Sequence, residues 1–246
     1  MTRSTRILAA VHVGGNALLL WLGYYWLGIG ESRMASLLWS TIVALLLVCL
    51  ACWLHAATFA YFVGQSPGLS SSFRAALRNL LPILAAAILI LALYLLLALW
   101  ANYSTRPAFT ISSWLTLKLR KPVRPNSVYR IFKTVTWLVR WLVLPVIVLP
   151  WIAAVSSRGW QGFRPKLAAR RLYWLQAPVL LLCALWVPFK LLDWVPHVGS
   201  FTMEMVSFVI RLLAAYLLFV AAWLLLAFLT SGGRPALIHS TTEAKP

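Results

Sequence analysis

Apolar positions in this chain fall in long unbroken runs. Six stretches, 7–28, 35–63, 80–103, 134–155, 172–195 and 203–229, are mostly apolar over their whole length. A helix rising about 1.5 Å per residue needs about 20 such residues to cross roughly 30 Å of hydrocarbon. A barrel strand would alternate apolar and polar positions and be about half as long. The pattern therefore predicts an all-α fold: a polytopic integral membrane helix bundle of about six transmembrane helices, with interfacial amphipathic segments. It forms a single transmembrane domain that ends in a short polar tail, 230–246. Trp26, Trp39, Trp100, Tyr103, Trp137, Trp151, Trp174 and Trp194 lie near the ends of these stretches. Amphipathic rings prefer the head-group zone, which supports the boundaries. The centres of the third and sixth stretches, 83–99 and 212–226, carry no charge.

Punctuation within the runs adds detail. Pro145 and Pro150 interrupt the fourth stretch, and Pro178 and Pro188 the fifth. Each removes a helix hydrogen bond and leaves the carbonyl four residues earlier in need of a donor, which a neighbouring helix can supply. Residues 144–150 read as a kink, with a re-entrant hairpin as the alternative. Ala10–Gly14 and Ala56–Ala60 have the small-xxx-small spacing that lets helices approach closely. Between the third and fourth stretches, residues 109–120 alternate apolar and polar side chains, which predicts a short extended segment on the membrane surface.

Composition points the same way. The chain is 62% hydrophobic and only 11% charged, where soluble domains run near 45–50% apolar and about 25% charged. The net charge is +18, but the cations lie between apolar runs and form no compact basic domain. That distribution excludes nucleic acid as a partner and suits anionic lipid head groups. The cations expected at head groups are Arg74, Arg78, Lys118, Arg120, Lys121, Arg124, Arg164, Arg170 and Arg171. Arg3 and Arg6 resemble the start of a signal peptide, but no small-x-small cleavage site follows, so 7–28 is expected to remain as the first span. Cys49, Cys52 and Cys183 sit inside apolar runs and are expected to pack, not to form disulfides.

Orientation rests on the loop cations. One side carries Arg3, Arg6, Arg74, Arg78, Arg158, Arg164, Lys166, Arg170, Arg171, Arg234 and Lys245, eleven in all. The other carries eight: Arg33, Arg106, Lys118, Arg120, Lys121, Arg124, Arg130 and Lys133. The excess predicts a cell-membrane protein with both termini cytoplasmic. A faint parallel repeat accompanies this layout. Phe73-Arg74-x-x-Leu77 precedes the third span, and Phe163-Arg164-x-x-Leu167 precedes the fifth. Both copies predict a basic amphipathic helix that leads into a span.

Chemistry is sparse. Gly64-Gln65-Ser66-Pro67-Gly68 has the spacing of a nucleophile elbow, followed in order by Asp193 and His197. The motif lacks the strand-to-helix setting that strains such a serine, and Pro67-Gly68 reads as a turn. Cys49, Cys52 and His55 are soft ligands at three- and three-residue spacing, but the end positions diverge around a helix, so no metal or other cofactor is expected. His12 and Asn16 form a polar pair one turn apart, expected to bond between helices. Asn102-Tyr103-Ser104 is a glycosylation sequon.

Charges inside the spans are costly and often functional. Arg140 lies in the fourth span, Lys190 and Asp193 end the fifth, and Glu204 and Arg211 occupy the sixth. Glu204, Ser207 and Arg211 share one helical stripe, so Arg211 is expected to pair with Glu204 or face a polar path; Lys190 and Asp193 are spaced to pair directly. The expected role is non-catalytic: a membrane component packing with lipids or partner subunits in a homo- or hetero-oligomer. The alternative is a small permease for an anionic solute, with Arg140, Arg211, Glu204 and Ser207 lining the path. A membrane-embedded hydrolase comes third.

Overall fold

The computed structural model describes residues 3–30, 32–63, 68–164, 171–196 and 200–231. Among these residues there are helices and no strands. In chain order they are α1 (Arg3–Leu27), α2 (Met34–Val63), α3 (Leu69–Arg78), α4 (Leu80–Tyr103) and α5 (Thr105–Leu119). They continue as α6 (Pro125–Leu138), a π-helical turn (Val139–Val143), α7 (Leu144–Arg158), a 3-10 turn (Gly159–Phe163), α8 (Arg171–Asp193) and α9 (Phe201–Thr230). Six helical runs are long and apolar enough to cross a membrane, so the chain is an all-α, multi-pass bundle. Side chains such as Leu20, Leu96, Trp186 and Phe219 point outward and are exposed, as lipid-facing residues must be.

α2 is the hub, touching α1, α3, α4, α7 and α9. Its Ala56, Ala57 and Ala60 are buried, and with no bulk beyond Cβ they let neighbouring helices close in. The α1–α2 contact runs through Gly15, where an added Cβ would lie 2.9 Å from Leu54 Cδ2. Gly14, the small residue expected there, has open space around it.

One expectation is corrected. Residues 109–119 are not extended but belong to α5, which pairs with α6 in a helical hairpin. The alternation misleads because Thr110, Ser113 and Thr116 return their hydroxyls to carbonyls one turn back, which satisfies them within a helix. The turn between α5 and α6 is set by Arg120, whose φ of 51° ends α5. The helix that carries the fourth span begins before 134: the helical run Pro125–Phe163 has 39 residues, about 58 Å of helix, longer than a hydrocarbon slab is thick. Residues 144–150 continue this run and make no re-entrant hairpin.

The prolines explain the π turn and two tyrosines. The Leu144 N–H bonds the Val139 carbonyl, five residues back. In that register the donor for Arg140 O would be residue 145, a proline with no N–H. The Tyr94 hydroxyl of α4 donates to Arg140 O instead, at 3.1 Å. Pro150 orphans the Val146 carbonyl in the same way, and the Tyr173 hydroxyl of α8 donates to it at 2.8 Å. Tyr173 is 1% exposed, in a core with Phe59, Leu149 and Leu226.

A second core lies where α3 and the 3-10 turn fold back onto α2 and α7. Phe73 meets the Trp53 ring edge-on at 5.3 Å, and Phe163 meets Trp151 edge-on at 5.4 Å. The two copies of the faint repeat thus contribute equivalent Phe–Trp contacts to one cluster. Their backbones differ. Phe73 is helical, whereas Arg164 is extended after a turn at Gly159, with φ 59°, so the second copy does not begin as an amphipathic helix. Leu167 lies outside the described residues. Asn79 Nδ2 donates to Ser156 O at 3.0 Å and ties the α3–α4 corner to the end of α7.

Candidate functional site

The polar groups within the bundle fall into three places. The first joins α1, α2 and α9. His12 is fully buried. Its Nε2 meets Thr58 Oγ1 of α2, and Asn16 Nδ2 reaches its Nδ1 at 3.1 Å. The Thr58 hydroxyl donates to Leu54 O at 3.1 Å. It therefore accepts from His12, which assigns the His12 proton to Nε2 and makes Nδ1 the acceptor for Asn16. His55 lies 5.5 Å from His12 between ring centroids and meets Trp223 of α9 edge-on at 4.7 Å. His55 Nδ1 and Trp223 Nε1 are buried without hydrogen-bond partners. Tyr216 of α9 donates its hydroxyl to Val13 O of α1 and closes the triangle. This layer holds no carboxylate. Among the described residues no three His, Cys, Asp or Glu side chains gather as metal ligands, so Cys49, Cys52 and His55 do not converge. The cysteines are free thiols.

The second place is Arg211, 6% exposed on α9. Its Nη1 donates to Leu192 O at 2.9 Å and also to Trp194 O, and its Nε donates to Ser207 O at 3.3 Å. Leu192 and Trp194 stand at the C-terminal end of α8, where helix carbonyls lack donors and the dipole is negative. Arg211 is thus a cap supplied in trans by the next helix. Ser207 takes part through its backbone oxygen. Glu204 is exposed in the first turn of α9 and makes no bond to Arg211, and Lys190 and Asp193 form no ion pair among the described residues. The expected Glu204–Arg211 pair does not form because the two side chains start seven residues, about 10 Å, apart along α9, while the carbonyls at the end of α8 lie within reach of the guanidinium.

The third place is Arg140, exposed on the π turn. Its guanidinium lies over the Trp141 ring at 5.3 Å and the Tyr94 ring at 5.9 Å, cation–π contacts that tolerate an apolar setting.

The cations expected at head groups lie on the periphery. Arg74 and Arg78 are exposed on the outer face of α3 and, with Ser70 and Ser71, line a recess of about 360 Å³. Lys118 sits over Trp114 at 4.7 Å on α5, and Arg120, Lys121 and Arg124 form the hairpin tip. Arg164 is exposed after the 3-10 turn. Arg170, the Arg171 side chain, residues 64–67 of the serine motif, and His197 lie outside the described residues. Sequence reasoning missed Tyr94, Tyr173 and Thr58 as partners. For the tyrosines a signal existed, since a proline names the carbonyl that needs a donor. For Thr58 there was none beyond its place in a span.

An apolar concavity lies between the α6–π segment and α8. It measures about 640 Å³ and is lined by Trp137, Trp141, Leu182, Cys183, Trp186 and Phe189 among others. No protein-family model, curated protein or solved structure matches the chain.

Proposed function

We propose that the protein is a non-catalytic component of the cell membrane, with both termini cytoplasmic, that acts by packing with anionic lipids and partner subunits. The observation that carries this reading is Arg211. The most buried cation among the described residues spends its donors on the end of α8, which gives it a building role and leaves little of it for a solute. The outward faces of α4 and α8 stay apolar and exposed, and seven cations without an acid line the α5–α6 hairpin region, from Arg106 to Lys133. Purification in mild detergent tests the reading. Retained anionic phospholipid or a stoichiometric partner is expected, and a lipid-free lone monomer refutes it.

A second reading, a permease for an anionic solute, draws support from Arg140, whose exposed guanidinium lies over the Tyr94 and Trp141 rings. Arg140→Ala is the cleaner variant, because Arg211→Ala also uncaps α8. Uptake into proteoliposomes that Arg140→Ala leaves unchanged for every anion tried removes this reading.

A further inference from the structure

The 640 Å³ groove between α6 and α8 opens toward lipid and is almost wholly apolar. Its levels can be read from one bond. Tyr173 on Val146 O pins α8 against the fourth span, and consecutive spans run in opposite directions. Counting away from that bond brings Leu182 level with Trp137, Trp186 with Lys133, and Phe189 with Arg130, to within about one turn. Trp141, one turn beyond Trp137, marks the deep end. At the shallow end this count places Lys133 and Arg130 on α6 and Lys190 on α8, all outside the groove's apolar lining. Asp193 follows Lys190 by three residues. By this count the apolar trough with aromatic walls gives way, past Phe189, to three cations and one acid.

The groove spans about 10 Å from Leu182 to Phe189. A single acyl chain can lie along a groove of this length and lining, and the cations at its mouth complement a negative head group, which a second copy of this cationic chain would not supply. We propose that this groove binds one chain of an anionic phospholipid, with Trp137, Trp141, Trp186 and Phe189 against the chain and Lys133, Arg130 and Lys190 at the phosphate. The proposal rests on the membrane-component reading and assigns a site within it.

Cys183 lies in the groove wall and is exposed, which makes it a reporter. In a Cys49→Ala/Cys52→Ala background, the rate of Cys183 alkylation by N-ethylmaleimide is measured in mild detergent with added phosphatidylglycerol or phosphatidylcholine. The expected result is that phosphatidylglycerol slows alkylation at about tenfold lower concentration than phosphatidylcholine, from the attraction of several cations for an anionic head group. Lys133→Gln/Arg130→Gln/Lys190→Gln should erase that preference while leaving the helical circular dichroism unchanged. Equal protection by the two lipids overturns the proposal. So does the absence of protection when mass measurement shows phosphatidylglycerol still bound, and in that case the membrane-component reading stands. If no lipid is retained at all, the proposal falls, and the membrane-component reading falls with it when no stoichiometric partner co-purifies.

Discussion

Removing the Tyr173 hydroxyl isolates one hydrogen bond whose worth depends on a proline in another helix. Tyr173→Phe keeps the ring in its core, where it is 1% exposed, and deletes the donor to Val146 O together with the hydroxyl's contact with Thr230, which is common to both arms of a cycle with Pro150→Ala and cancels. No backbone N–H can take over, because residue 150 is a proline. A buried group left unpaired costs about 1–3 kcal/mol in soluble proteins, while hydrogen bonds inside membranes average about 0.6 and reach about 1.7 kcal/mol. With burial nearly complete and no substitute donor, the loss belongs at the upper end, about 1.5 kcal/mol. Pro150→Ala restores an N–H aimed at the same carbonyl, so Tyr173→Phe in that background should cost about 0.5 kcal/mol or less. The cycle then gives a coupling of about 1 kcal/mol, and any effect of Pro150→Ala on helix shape cancels. The assay is unfolding by dodecyl sulfate in mixed micelles, followed by far-ultraviolet circular dichroism. A coupling below about 0.3 kcal/mol would falsify the claim that Tyr173 serves the carbonyl Pro150 orphans.

Other substitutions test other joints. Arg211→Met should cost about 2 kcal/mol by baring two helix-end carbonyls, and hydrogen exchange should quicken at the end of α8. Gly162→Ala should be among the most damaging small changes, losing about 2 kcal/mol or more in the same unfolding assay. Its Cβ would lie 2.4 Å from Ala154 O and 2.5 Å from Val155 Cα, backbone atoms that cannot step aside. Thr58→Val removes the His12 partner at constant shape and should cost about 1 kcal/mol, whereas Thr58→Ser should restore most of it.

Span number and placement were legible because hydrocarbon imposes one simple demand, an uninterrupted apolar run, and six runs met it. What lay beyond the slab was less so. Nothing outside the membrane forces a single periodicity, so 109–119 could alternate like a strand and still fold as α5, its hydroxyls bonded within the helix. The intramembrane cations were found by sequence and their partners were not. Glu204 lies two turns from Arg211 along one helix, while the actual acceptors, Leu192 O and Trp194 O, are main-chain atoms of another. Carbonyl acceptors leave no mark in side-chain spacing. Pro145 and Pro150 do leave one, since each points to a needy oxygen. The sequence named the need, and only packing revealed that Tyr94 and Tyr173 meet it.

The Arg211 contact has a temporal consequence. Pro178 and Pro188 weaken α8 from within, and its last carbonyls wait for a side chain synthesised some twenty residues later. During biosynthesis the end of α8 therefore gains its cap only once α9 has been made. The two would enter the bilayer as a pair, and a nascent chain halted between them would present a half-finished segment to quality control.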